Sequence, residues 1–183
     1  MRVVAGIVKG RELSAPRTTK TRPTSDKVRD AIFNVVGAAT VGARVLDLYA
    51  GSGAMAIEAL SRGADRADLV ESDRDACAAI RGNLDLTGFT DCSTIWPIPV
   101  EGALSRLDSP FDLVLVDPPY EHAGIQALME SLGLGALLSK DGIVVLEHGK
   151  RVETRPVYGK LKRWREKRYG DTAVSFFEMN VSD

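Results

Sequence analysis

Between residues 44 and 148, short continuous apolar runs alternate with stretches whose apolar residues recur every three or four positions. The runs RVLDLY (44–49), ADLVES (67–72), STIWPI (93–98), FDLVLVD (111–117) and GIVVLEH (142–148) have the length and β-branched content of buried strands. AMAIEALSRG (54–63) and RDACAAIRGNLDLTG (74–88) predict helices closed by glycine. Weaker helical spacing falls near 100–107 and around 122–137. Strands apolar along their whole length, each followed by a helix, imply a mostly parallel sheet covered on both faces. LKRWREKRYG and AVSFFEMNV, around Gly170-Asp171-Thr172, predict a closing antiparallel hairpin. The expected fold class is α/β, a doubly wound, mostly parallel sheet of seven strands.

The first forty residues have another texture. RVVAGIVKGRELSAP alternates apolar and polar residues about Lys9-Gly10, the pattern of a short hairpin. In RTTKTRPTSDKVRDAIFNVV, Pro23, Thr24 and Ser25 precede Asp26 as a helix start, and Val28, Ala31, Ile32, Val35 and Val36 recur with helical spacing. The chain therefore divides into a hairpin-and-helix extension over 1–40 and an α/β domain over 41–183.

Composition narrows the class without deciding it. A chain of 183 residues can bury one sizeable core and needs no disulfide or metal staple. Cys77 and Cys92 lack CxxC spacing, so no metal is expected and a reducing compartment suits them. The start MRVVAGIVKGREL lacks the apolar core of a signal peptide, and no apolar run approaches the ~20 residues of a membrane span. A cytoplasmic protein without a membrane partner is expected, and nothing demands more than a monomer. The net charge of -1 hides a segregation. Residues 1–44 carry nine Lys/Arg against three acids and residues 150–170 nine against two, whereas 45–149 carry six against seventeen. Basic ends around an acidic middle fit contact with a polyanion, although two solvated surfaces would look the same.

In doubly wound sheets, ligands bind beyond the carboxyl ends of the strands. The first strand of the domain ends in DLYAGSGAMA, where Gly51 and Gly53 permit a tight turn and close approach of backbone to a ligand. The second ends at Glu71, followed by Ser72; an acid 18 residues after Gly53 is placed to bind ribose hydroxyls. GSGAMA also satisfies the loose dinucleotide pattern G-x-G-x-x-A, so a nicotinamide-dependent reductase competes. Asp47, two residues before Tyr49, argues against it, because a carboxylate there would repel phosphates and suits an ammonium or sulfonium group instead. No obvious donor set for a hydride-accepting carbonyl accompanies these loops either. LDLYAGSGAMAIEALSRG resembles the glycine motif of Rossmann-like S-adenosylmethionine-dependent methyltransferases. The resemblance implies a class I methyltransferase fold, S-adenosylmethionine as cofactor, the loop glycines against its methionine portion and Glu71 on its ribose. Asp47, Tyr49 and Ser72 fall in the same two loops.

The fourth strand stops at Asp117-Pro118-Pro119-Tyr120. Two prolines fix two φ angles and remove two backbone donors, which on its own marks only a strand stop. DPPY resembles the [DN]-P-P-[YF] motif of enzymes that methylate exocyclic base amines or amide nitrogens. Such an amine has its lone pair delocalised and offers two N–H donors. With Asp117 accepting one and the Pro118 carbonyl the other, the nitrogen can pyramidalise toward the methyl. Pro119 stiffens the arrangement, and Tyr120 can stack on the base for about 1–3 kcal/mol.

MRVVAGIVKGREL, TRPTSDKVRDAIFNVV, LDLYAGSGAMAIEALSRG, DPPY and RYGDT occur in this order in RsmD-type 16S ribosomal RNA guanine-N2 methyltransferases, a resemblance covering about residues 2–177. It implies methyl transfer to a guanine N2 in the small ribosomal subunit, assembled or assembling. Lys9, Arg11, Arg17, Lys20 and Arg22 are then candidates for RNA phosphates, with Arg22 and Thr24 folded over cofactor or base. A helix cap is the plainer role for that stretch. The chain departs from many relatives after the third strand, where IWPIPVEGAL has no acid before Glu101 to recognise adenine. Methylation of DNA adenine or protein glutamine, and an RNA-binding assembly factor with a vestigial pocket, remain the alternatives. KLKRWREKR reads better as a strand with solvated charges than as an RNA site, and His122 and His148 receive no role.

Overall fold

Strand β1 (Arg44–Leu48) opens the α/β unit and is joined by β2 (Arg66–Val70), β3 (Ser93–Trp96), β4 (Phe111–Val116) and β5 (Leu138–Gly149). These five strands are parallel, in the order β3-β2-β1-β4-β5. The computed structural model describes residues 1–16, 24–108, 110–119 and 124–180. Short strand β6 (Val157–Tyr158), β7 (Leu161–Tyr169) and β8 (Thr172–Met179) extend the sheet in the order β5-β8-β7-β6, each antiparallel to its neighbour.

Helices α1 (Asp26–Val36), α2 (Ala54–Ser61) and α3 (Arg74–Thr87) cover one face, where Ile32, Ile57 and Ile80 meet Leu113, Val145 and Phe176 in one core. Helices α4 (Val100–Leu104) and α5 (Ile125–Gly133) cover the other, packing Ala103 and Met129 on Val114, Leu146 and Phe177. Leu113 to Val116 of β4 are therefore buried on both sides, as their unbroken apolar run requires. Local signals set the helix ends: Ser25 Oγ accepts from Val28 N–H (3.2 Å) and an Asp73 oxygen from Ala76 N–H (2.8 Å), while α3 closes on Gly88 at φ +77°.

Eight strands stand where seven are predicted. The additional one, β6, has only two residues, too few to show a period of two. It is held by Tyr158, whose hydroxyl donates to Gln126 Oε1 (2.7 Å) and accepts from Arg155 N–H (2.9 Å). Its close fit against α5 needs Gly133, since a Cβ there would fall 2.1 Å from Tyr158 O. The N-terminal hairpin about Lys9-Gly10 is reduced to a single ladder pair, Arg2 with Glu12. Strand pairing fails because other acceptors take the backbone donors. Glu58 accepts from Val4 N–H (2.7 Å) and Ala5 N–H (2.9 Å), and Ser61 O from Ile7 N–H (2.8 Å). Helix α5 is shorter than the stretch 122–137, and β5 begins four residues before Gly142. No helix among the described residues is long and apolar enough to cross a membrane.

Glu58 is fully buried and ties the extension to the sheet. Besides the two N–H groups it accepts from Arg62 Nε (2.7 Å) and pairs with buried Arg29 (3.5 Å). Glu58→Ala leaves two backbone donors unpaired and takes from the buried Arg29 guanidinium one of its two carboxylates, Asp26 remaining at 2.7 Å. It should therefore lower the unfolding free energy by about 3–5 kcal/mol in a urea titration. A change under about 1 kcal/mol would place the clamp elsewhere.

Candidate active site at the switch in strand order

After β1 the chain runs outward to β2 and β3, then returns on the opposite side of β1 to form β4. That reversal opens a crevice at the carboxyl ends of β1 and β4. Asp117 N–H, bonded to Leu48 O at 3.4 Å, joins the two ends. A cavity of about 470 Å³ fills the crevice.

The wall from β1 is strained and carries a buried acid. Tyr49 holds φ +64°, a conformation costly for any residue but glycine, and sits in the cavity lining. Burial, then the Glu101 carboxylate, pushes its hydroxyl up to about 12. Gly51 (φ +56°) and Gly53 (φ +76°) carry the turn into α2, and a Cβ on Gly53 would press Leu69 at 3.1 Å. Beneath the turn Asp47 is 1% exposed, with Oδ2 accepting from Ala56 N–H at 3.0 Å. Burial pushes its carboxyl up to about 8; that hydrogen bond opposes the rise, and the charges of Asp117 and Glu71 add to it.

Glu71 braces the turn from β2. Its Oε2 accepts from Gly51 N–H (2.9 Å) and its Oε1 from Asp73 N–H (2.8 Å). Each oxygen keeps a second lone pair for a ligand hydroxyl. Ser72 lines the cavity beside it, and Ile98 to Val100 provide an apolar wall where the sequence lacks an acid.

Across the cavity stand Asp117, Pro118 and Pro119. Asp117 Oδ2 accepts from Thr24 Oγ1 at 2.6 Å, and Glu147 Oε2 lies 2.9 Å from the same hydroxyl. Burial pushes Asp117 up to about 6, against the Thr24 hydrogen bond. The fold thus brings Asp47, Tyr49, Gly51, Glu71, Ser72, Asp117, Pro118 and Pro119 to one cavity, with Gly53 one step behind the wall.

Thr24 lines the same cavity. It is buried, its hydroxyl spent on two carboxyl groups rather than offered outward. Lys9 and Arg11 are exposed on the N-terminal loop. Tyr120, His122, Arg17, Lys20 and Arg22 lie outside the described residues. His148 is buried, with Nε2 2.9 Å from Ser175 Oγ, and its burial lowers its proton affinity, in keeping with a structural place. Glu147 is not among the residues the motifs single out, although an acid inside the apolar run GIVVLEH marks it. Nor are Met1 and Pro16, which line the cavity, with Ser52 Oγ donating to Met1 Sδ at 3.1 Å.

A family model described as conserved hypothetical protein 95 matches residues 1–178. The chain belongs to that family. It is the RsmD family, so the resemblance carried by the motifs is borne out. The putative rRNA methyltransferase YlbH of Bacillus subtilis is 38% identical over 97% of this chain and 98% of its own. Ribosomal RNA small subunit methyltransferase D of Escherichia coli K12 is 29% identical over 97% and 89%. The solved structure of the putative methyltransferase yhhF from Escherichia coli superposes with a TM-score of 0.88 at 29% identity, covering 100% of this chain and 99% of that one. A conserved hypothetical protein of Streptococcus pyogenes gives 0.79 at 43% identity, over 83% and 95%. The Rossmann-like methyltransferase fold is common to these RsmD-family chains.

Asp47 makes the site costly to fold. Its folded value lies above the ordinary 3.8, so between about pH 4 and 8 the folded chain keeps a proton that the unfolded chain has lost. Stability from this group therefore falls as pH rises through that window. Asp47→Asn keeps an acceptor for Ala56 and should raise Tm more at pH 8 than at pH 5. An equal gain at both would mean that Asp47 holds no such proton.

Proposed function

We propose that this chain transfers a methyl group from S-adenosylmethionine to the exocyclic N2 amine of a guanine in small-subunit ribosomal RNA. The observation that carries the proposal is the facing of two unlike walls across one cavity. One wall is built for a cation with a ribose and the other ends in rigid hydrogen-bond acceptors. Asp47, protonated in the free chain, can give up its proton and pair with a bound cation, and Glu71 offers lone pairs to ribose hydroxyls. Ile98 and Val100 accept a flat apolar ring. Bound there, S-adenosylmethionine supplies a methyl already activated by its sulfonium.

The rest is placement by the chain. Asp117 and the Pro118 carbonyl accept the two N–H groups of an amine and turn its lone pair toward the methyl; the prolines hold both acceptors without loss of entropy on binding. No strong general base is needed, because the leaving group departs as a neutral thioether and the methylated nitrogen, cationic at that point, readily gives up its proton to Asp117 or water. The names of the Escherichia coli and Bacillus subtilis relatives support ribosomal RNA as the acceptor. Lys9 and Arg11, exposed beside the exposed Ile7, fit a phosphate-bearing partner, and Arg17, Lys20 and Arg22 belong to the same extension. A cytoplasmic enzyme acting on the small subunit follows.

The test is a transfer assay with labelled S-adenosylmethionine on unmodified small subunits, naked small-subunit RNA, DNA and protein, with the product nucleoside read by mass spectrometry. N2-methylguanosine from the subunits is the expected result, and Asp117→Ala should lower the rate about 100-fold or more while cofactor still binds. Label in DNA or protein would overturn the acceptor, and cofactor binding without transfer to any of the four would favour an assembly factor.

A further inference from the structure

Strand β7 carries five Lys/Arg and one acid in nine residues. Strict alternation would put Trp164 on one face with Glu166 and Arg168, leaving Arg165, Lys167 and Tyr169 on the other. The alternation breaks at one point. Arg163 stands opposite Phe177 on β8 and Arg165 opposite the next residue, Phe176, so Trp164 is the extra residue of a β-bulge. Phe177 belongs to the core under α4 and α5, and Phe176 to the core under α1, α2 and α3. The Trp164 ring lies 5.7 Å from that of Phe176, so the bulge turns it to the α1 side. Arg165 and Lys167, across from Phe176 and Val174, share that side by register, and Tyr169 packs partly on the same core.

The bulge also separates the charges. Glu166, across from Ser175, falls on the opposite face, where it accepts from Arg163 (3.0 Å) and Arg168 (3.3 Å). Among the described residues no ion pair holds Arg165 or Lys167. Glu178 is the acid on this face of β8, across from Lys162 at the far end of β7. Trp164 is 40% exposed although it is an indole, Arg165 is exposed, and Lys167 and Tyr169 are half-buried. The result is a strip with a ring at each end and two cations between them, about 14 Å from Arg165 to Tyr169. Its Tyr169 end lies level with Thr172 and Gly149, at the carboxyl end of β5, where the cavity opens.

We propose that the α1-side face of β7 docks a single-stranded segment of the RNA substrate. Trp164 and Tyr169 stack on unpaired bases, and Arg165 and Lys167 take the phosphates between them. The proposal rests on the ribosomal RNA assignment above. Rings on a sheet face with cations between them suit an unpaired strand, whose bases show their flat faces, whereas a duplex offers phosphates and has no use for a ring. Cations on an edge strand also deter pairing with another chain, and β7 is such an edge, since β6 pairs only with Leu161 and Lys162. That role would be served equally on either face. It gives no reason for an exposed indole, nor for the acid to stand apart from Arg165 and Lys167.

The first test binds a short unstructured oligoribonucleotide to the Trp96→Phe protein, in which Trp164 is the one remaining tryptophan. Its fluorescence should be quenched on binding, and an unchanged signal at saturation would overturn the stacking. Trp164→Leu keeps an apolar contact with Phe176 but cannot stack, and should weaken binding about tenfold. Trp164→Phe restores a ring and should recover most of the loss. Arg165→Gln combined with Lys167→Gln should make the plot of log affinity against log salt shallower by about 1.4, the share of two phosphates on a single strand. Arg163→Gln combined with Arg168→Gln removes as much charge from the opposite face. An equal effect from that pair would mean that net charge alone binds the RNA, and would overturn the surface. In methyl transfer to small subunits, Trp164→Leu and the Arg165/Lys167 pair should raise KM about tenfold and leave kcat and cofactor Kd within about twofold. A wild-type KM in both would overturn the docking role. Should wild type transfer no methyl to RNA, the functional assignment fails, while quenching of Trp164 by the oligoribonucleotide, seen or absent, still decides the surface.

Discussion

Asp47 and Asp117 stand at the ends of neighbouring parallel strands, so both carboxyl groups face one crevice, Asp47 fully buried and Asp117 half-buried. Two like charges so placed cannot both ionise freely. The chain answers with partners of different kinds. Asp47 takes a backbone N–H from the start of α2 and keeps its proton. Glu71, further out, takes two backbone N–H groups. Asp117 takes a hydroxyl from outside the α/β unit altogether. The cavity is left with a deficit of positive charge, which a cationic ligand corrects on binding. Stability lost in the free chain is recovered in the bound one, the usual relation between a functional site and its fold.

The N-terminal extension therefore has two attachments with different consequences. Glu58 fixes residues 4 and 5 to α2 through a buried carboxylate, an anchor that concerns folding. Thr24, at the other end of the same extension, donates to Asp117 at the cavity. Between them Val3, Leu13 and Val28 enter the same core as β1 and β4. Whatever holds the extension in place thus also holds the acceptor oxygen of the site.

Most of the sheet was legible because buried parallel strands leave an unbroken apolar signature, and because Ser25, Asp73 and Gly88 mark helix ends by their own chemistry. What escaped depends on partners distant in sequence. The hairpin at Lys9-Gly10 looked sound by alternation, yet Glu58, more than fifty residues away, takes the donors that a ladder would use. The strand at Val157–Tyr158 exists through α5 and carries no pattern of its own. The loops of the site were legible as loops, since glycines, prolines and acids punctuate strand ends. Thr24 was read as folded over cofactor or base, and nothing local pairs it with Asp117, 93 residues away in the chain and 2.6 Å away in space.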